Sequence, residues 1–116
     1  MKHDDVFEVA SIIRQEFELQ KINRIELAQL YYEYNPIDNI DLFIQRATRT
    51  FPTGNCGLAS IYLNSRLQMG KVVQGKYADN NHTFIQLSDE IIVDITADQF
   101  GGPKVYVGPL IQPWST

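Results

Sequence analysis

The apolar residues of this chain change their spacing near residue 70, and that change sets the class of fold it can adopt. Before it, Val6, Val9, Ala10, Ile13 and Phe17 recur every three or four residues, the repeat of one face of an α-helix. Asp4 or Asp5 is placed to cap that helix, and Asn23 to cap a second over Arg24–Tyr34, with Leu27, Leu30 and Tyr31 on one side. Asn35-Pro36 ends it, because the residue before a proline avoids helical geometry. Ile40, Phe43, Ile44 and Ala47 predict a third helix starting at Asp38 or Asn39 and running to about residue 48. Pro52-Thr53-Gly54-Asn55 is a loop by composition, and residues 56–69 return to helical spacing through Leu58, Ala59, Tyr62, Leu63 and Leu67, with Gly70 as the stop.

Beyond Gly70 the pattern alternates. Residues 71–77, 82–87 and 91–96 read as strands, separated by turns at Asp79-Asn80-Asn81 and Ser88-Asp89-Glu90. Gly101-Gly102-Pro103 breaks the chain before a last short strand over residues 104–107. Helices followed by strands, without alternation, predict an α+β fold with an antiparallel sheet. At 116 residues the chain is long enough for one domain, with a helical segment at 4–50 and a core at 51–108.

The formal net charge is −4 and the basic residues are scattered, so no nucleic-acid surface is expected. No apolar run approaches the ~20 residues that span a bilayer, so no membrane partner is expected either. The start, Met1-Lys2-His3-Asp4-Asp5, has neither the basic region nor the apolar stretch of a cleaved signal peptide. A single cysteine excludes an internal disulfide. A free thiol fits a reducing cytosol, either that of the producing cell or one into which the protein is delivered without a cleaved signal.

That cysteine is Cys56, in Gly54-Asn55-Cys56-Gly57-Leu58-Ala59-Ser60, where loop passes into helix. His82 and Asp94 follow on successive strands. If a three-residue turn at 88–90 sets Leu87 opposite Ile91, then Phe84 faces Asp94, and His82, Phe84, Gln86, Ile92, Asp94 and Thr96 share one side of the hairpin. His82 and Asp94 are then diagonal neighbours, roughly 7–8 Å apart at the backbone and within side-chain reach. A slip of one residue would part them. Ile91, Val93 and Ile95 make the opposite side apolar, which favours this register.

The three residue types suit three tasks. A helix N-terminus and a nearby imidazolium both favour a thiolate at Cys56. His82 can shuttle the proton between thiol and leaving group, and Asp94 can fix its tautomer and orientation. An acyl oxyanion also needs donors; the Cys56 N–H, Asn55 and Gln99 are the candidates to stabilise it or line the site. Three such ligands without a second cysteine pair make a poor metal site, and no cofactor is implied.

The segments Asn55-Cys56-Gly57-Leu58-Ala59-Ser60, His82-Thr83-Phe84-Ile85-Gln86-Leu87 and Ile91-Ile92-Val93-Asp94-Ile95-Thr96 together resemble the papain-like/transglutaminase-like cysteine superfamily. The resemblance covers about residues 51–108. It implies a nucleophile at Cys56, a base at His82 and an orienting carboxylate at Asp94, set on a helix packed against a small antiparallel sheet. It departs from the family pattern at Thr83-Phe84, where many relatives carry a small residue and then Trp. The activity implied is that of a thiol-dependent amide hydrolase or acyl transferase acting on a peptide or protein: a protease, a glutamine deamidase or a transglutaminase-like enzyme, with a small effector among the roles such an activity serves. A papain-like binding module without turnover, and an accessory protein in which Cys56 is merely a buried apolar residue, are the readings from other classes.

Overall fold

The computed structural model describes residues 3–116. Its helices are α1 (His3–Glu18), α2 (Arg24–Tyr34), α3 (Ile40–Ala47) and α4 (Cys56–Leu67); its strands are β1 (Lys71–Tyr77), β2 (Asn80–Gln86), β3 (Ile91–Asp94), β4 (Tyr106–Pro109) and β5 (Trp114–Ser115). The fold is thus mixed helix and sheet, and all strand pairs are antiparallel, in the order β4-β3-β2-β1-β5. No helix among the described residues is long and apolar enough to cross a membrane.

Period and burial agree in the helices. Val6, Ala10, Ile13 and Phe17 of α1 are buried, with Val9 packed at their edge. Leu58, Ala59, Ile61, Tyr62, Leu63 and Leu67 of α4 are all buried, so α4 is apolar on nearly every side and lies in the centre of the molecule. The main core joins these side chains, Ile61 apart, to Leu27 and Ala28 of α2, Ile44 of α3, and Ile85 and Val93 of the sheet. Phe84, Ile92, Ala97 and Trp114 form a second, smaller cluster on the other side of the strands.

The β2–β3 register is the one the three-residue turn implies: Gln86 faces Ile92 and Ile85 faces Val93. Alternation sends Ile85 and Val93 into the main core and Phe84 and Ile92 into the smaller cluster.

Four local expectations are corrected. Helix α1 is already formed at His3, so Asp4 and Asp5 occupy its first turn instead of capping it. The β1–β2 connection is the pair Ala78-Asp79, because Tyr77 pairs with Asn80; Ala78 adopts a left-handed φ of 54°, and its N–H donates to the Pro113 carbonyl at 2.7 Å. Strand β3 stops at Asp94, whose carboxylate accepts the Thr96 N–H that a longer ladder would have used. The last of the expected strands falls at Tyr106–Pro109 instead of 104–107, and β5 was not expected at all. Pro109 is tolerated in β4 because that strand is the sheet edge.

Candidate active site

Cys56 is the first residue of α4, and the loop before it is held on several sides. Phe51 stacks on Phe17 of α1 at 5.0 Å, with the Arg14 guanidinium over its ring at 4.7 Å. Gln20 Nε2 donates to the Thr48 carbonyl at 2.7 Å. Asn55 is fully buried, and its Nδ2 donates to the carbonyls of Ala47 and Thr53 at 2.9 and 2.8 Å. Its backbone N–H donates to the Pro52 carbonyl. Both kinds of Asn55 donor are therefore engaged in shaping the loop, which removes them as free donors for an oxyanion.

Gln99 sits in the 3-10 turn Ala97–Phe100. Its Oε1 accepts the Gly54 N–H at 3.3 Å, and its Nε2 donates to the Thr96 carbonyl at 3.1 Å, so it ties the loop before Cys56 to the turn after β3. A primary amide carries two hydrogens, and one of those on Gln99 is uncommitted. The first-turn N–H groups of α4, Cys56 included, have no carbonyl to bond within the helix.

His82 and Asp94 meet. His82 Nε2 lies 2.6 Å from Asp94 Oδ2, and both side chains are buried. Asp94 also accepts the Thr96 N–H at 2.9 Å and hydroxyl at 3.4 Å on Oδ1, and the Trp114 indole N–H at 2.7 Å on Oδ2. Tyr77, Phe84 and Phe100 surround the imidazole, Phe100 edge-on at 5.2 Å. The turn that carries Phe100 and Gln99 is fixed to α1, because buried Arg14 donates to Asp98 through two bonds of 2.6 and 2.8 Å and to the Ile95 carbonyl at 2.8 Å.

With Nε2 on Asp94, the other ring nitrogen, Nδ1, has no hydrogen-bond partner in the protein. Cys56 and His82 are nonetheless close enough to shift each other's protonation, so their contact at rest is looser than the Asp94–His82 bond. Apo active sites often show such loose contacts. Burial, the largest influence on the imidazole, pulls its pKa down; the Asp94 hydrogen bond, the Cys56 contact and their charges outweigh it and push His82 up to about 9. Burial is also the largest influence on the Cys56 thiol and pulls it up, but the contacts with His82 and with the Thr83 backbone and side chain together hold it below its ordinary value. Both shifts favour a proton on the imidazole and a thiolate on Cys56.

Cys56 and His82 open onto a cleft of about 390 Å³, lined with them by Gln74, Gly75, Asn81 and Thr83. Larger grooves lie elsewhere, one of about 540 Å³ beside α3 among Ile37, Leu42 and Phe43, and that one carries no thiol or imidazole. Gly75 stands opposite His82 in the ladder, and a Cβ there would meet the Ser115 carbonyl and the Phe84 ring, so only glycine fits.

Of the residues singled out in the sequence, the structure sets Cys56, His82 and Asp94 around one site, ties Gln99 to the loop before Cys56, and engages the Asn55 amide with the carbonyls of Ala47 and Thr53. The sequence reading misses Trp114 and Arg14. A signal existed for the first: a buried carboxylate needs several donors, and the one tryptophan of the chain carries an N–H that needs an acceptor once buried. Arg14 on the buried side of an amphipathic helix was a comparable signal. The chain matches no family model, no curated protein and no solved structure.

Proposed function

We propose that this protein is a thiol-dependent amide hydrolase or acyl transferase acting on a peptide or protein substrate, with Cys56 as nucleophile, His82 as acid–base and Asp94 as the orienting carboxylate. The observation that carries the reading is the buried 2.6 Å Asp94–His82 bond, which leaves Nδ1 toward Cys56 at the start of α4. A cysteine that merely filled space would need neither the depressed thiol nor a fixed imidazole beside it.

The steps follow from the residues. The Cys56 thiolate attacks the amide carbonyl, and the oxyanion is met by the Cys56 N–H and the uncommitted amide hydrogen of Gln99. Protonated His82 gives its proton to the departing nitrogen as the C–N bond breaks, which leaves a thioester on Cys56 and neutral His82. Neutral His82 then takes a proton from the incoming nucleophile. Water yields hydrolysis, as in peptide cleavage or glutamine deamidation; an amine yields acyl transfer. The pocket side chains Gln74, Asn81 and Thr83 carry no charge, which suits a neutral amide.

Intact-mass analysis of candidate peptides incubated with the protein tests this reading. Ammonia release with a gain of about one mass unit marks deamidation, chain cleavage marks a protease, and an amine adduct marks acyl transfer. Each change should vanish in Cys56→Ser. A Cys56→Ala variant that still binds a peptide partner, together with a wild-type protein that alters no amide donor, would instead favour the binding-module reading.

A further inference from the structure

We propose that Trp114 is a positioning residue for the Asp94–His82 pair, its indole N–H holding the carboxylate oxygen that orients the imidazole. This rests on the thiol-enzyme reading above and extends it to the C-terminal strand, outside the stretch that carries the superfamily resemblance.

The geometry is specific. Trp114 Nε1 donates to Asp94 Oδ2 at 2.7 Å, the same oxygen that meets His82 Nε2 at 2.6 Å. The indole is 5 % exposed, stacked on Tyr106 at 4.0 Å and edge-on to Tyr77 at 5.1 Å. Its backbone is held as firmly: β5 pairs with β1 through Tyr77 and Trp114, the Trp114 N–H donates to the Ile111 carbonyl, and the Pro113 carbonyl accepts from Ala78. Gly75 lets the Ser115 carbonyl approach β1 closely.

A carboxylate offers about four acceptor positions, and Asp94 fills them with His82, Trp114 and the Thr96 N–H and hydroxyl. A carboxylate so satisfied is held in place on both oxygens, so it fixes the direction of the His82 ring. Removing the indole donor would leave a lone pair orphaned in a buried site and leave the imidazole to face more of the carboxylate's charge. His82 would then keep its proton to higher pH and lose its fixed direction. The titratable groups that face this pair are Cys56 from α4, Tyr77 from β1 and, across Trp114, Tyr106 from β4; in the turn after β3, Asp98 is paired with Arg14.

The first test uses the unmodified protein, because the single tryptophan gives one unambiguous indole N–H resonance in NMR. That resonance should exchange slowly with water and shift with the same midpoint as the His82 ring. An indole N–H that exchanges fast and ignores the His82 titration overturns the proposal. The second test is Trp114→Phe, which retains an aromatic ring while removing the donor together with part of the ring's volume. The His82 midpoint should rise by at least about half a pH unit, and kcat should fall by about tenfold or more with KM little changed. A folded variant with an unmoved midpoint and unchanged kcat also overturns it. If Cys56 alkylates slowly at every pH while indole and imidazole titrate together, the enzyme reading fails and the Trp114–Asp94–His82 coupling stands. A reactive thiol beside an indifferent indole removes Trp114 alone.

Discussion

The two ring nitrogens of His82 face regions built in opposite ways. On the Nε2 side everything is closed: Asp94 is buried, its oxygens are filled by His82, Trp114 and Thr96, and aromatic rings pack around it. On the other side the site opens through Cys56: Nδ1 is itself buried but unpartnered, and the half-buried Cys56 and the cleft lie beyond it. A proton shuttle needs both properties. The closed side fixes where the imidazole points, and in the proposed mechanism the unpartnered nitrogen on the other side exchanges its proton with thiol and substrate.

The contrast can be broken from the closed side first, where the largest change is expected. Arg14→Met removes the cation that holds the turn after β3 and leaves Asp98 and the Ile95 carbonyl unpaired. It should cost about 3 kcal/mol, the low end for a broken buried pair because Asp98 keeps some contact with water. Urea unfolding measures this; a loss within about 0.5 kcal/mol, the range of a neutral surface change, would show that the turn is held by packing alone.

The open side is probed by Gln99→Ala, which should lower turnover by about 10²–10³ if its spare amide hydrogen meets the oxyanion. Asn55→Ala makes the matched comparison. It should lower stability through the loop, because its amide serves Ala47 and Thr53. Equal effects of the two on turnover, with stability unchanged, would dissolve the distinction.

Asp94→Asn sharpens the contrast through pH. His82 is raised from 6.5 to about 9, so its ionised form contributes stability that is fully present below about 6.5 and is lost as pH rises through about 9. In Asp94→Asn the imidazole midpoint should fall and the decline in stability across that window should shrink. Thermal unfolding followed between those pH values checks the slope, and an unchanged slope would show that Asp94 does not hold the charge. The smallest effect belongs to a pair remote from the site. Glu26 and Arg66 join through two bonds of 2.6 and 2.7 Å but stand about one-third exposed, so Glu26→Gln should cost only about 0.2–1 kcal/mol.

Much of the closed side's first step was legible in the sequence. The Ser88-Asp89-Glu90 turn and the apolar Ile91, Val93 and Ile95 specify a register, and the register alone places His82 beside Asp94. Helix α2 and strand β1 likewise follow from caps, proline and alternation. Trp114, Arg14 and Asp98 were not legible as partners, because nothing local records which segments meet: Trp114 reaches Asp94 only after β5 has paired with β1, and α1 reaches the turn after β3 only after α1, α4 and the sheet have packed. The loop role of Asn55 was not legible for a related reason. A polar residue before a cysteine advertises a donor, but burial committed it to the loop's own carbonyls. The β1–β2 turn moved to Ala78-Asp79 through a contact with Pro113, again from the distant C-terminal segment.

The ionisation of Cys56 is the most direct test of a nucleophile at this position. The rate of its alkylation by iodoacetamide, followed against pH in the wild-type protein and in His82→Ala, reads the thiolate through the imidazole that is said to create it. The wild-type midpoint should lie below that of an ordinary thiol, near 8.5 for a free cysteine, and His82→Ala should return it to that value or above. Alkylation that becomes fast only in denaturant, or a midpoint indifferent to the loss of His82, would contradict a nucleophile at Cys56.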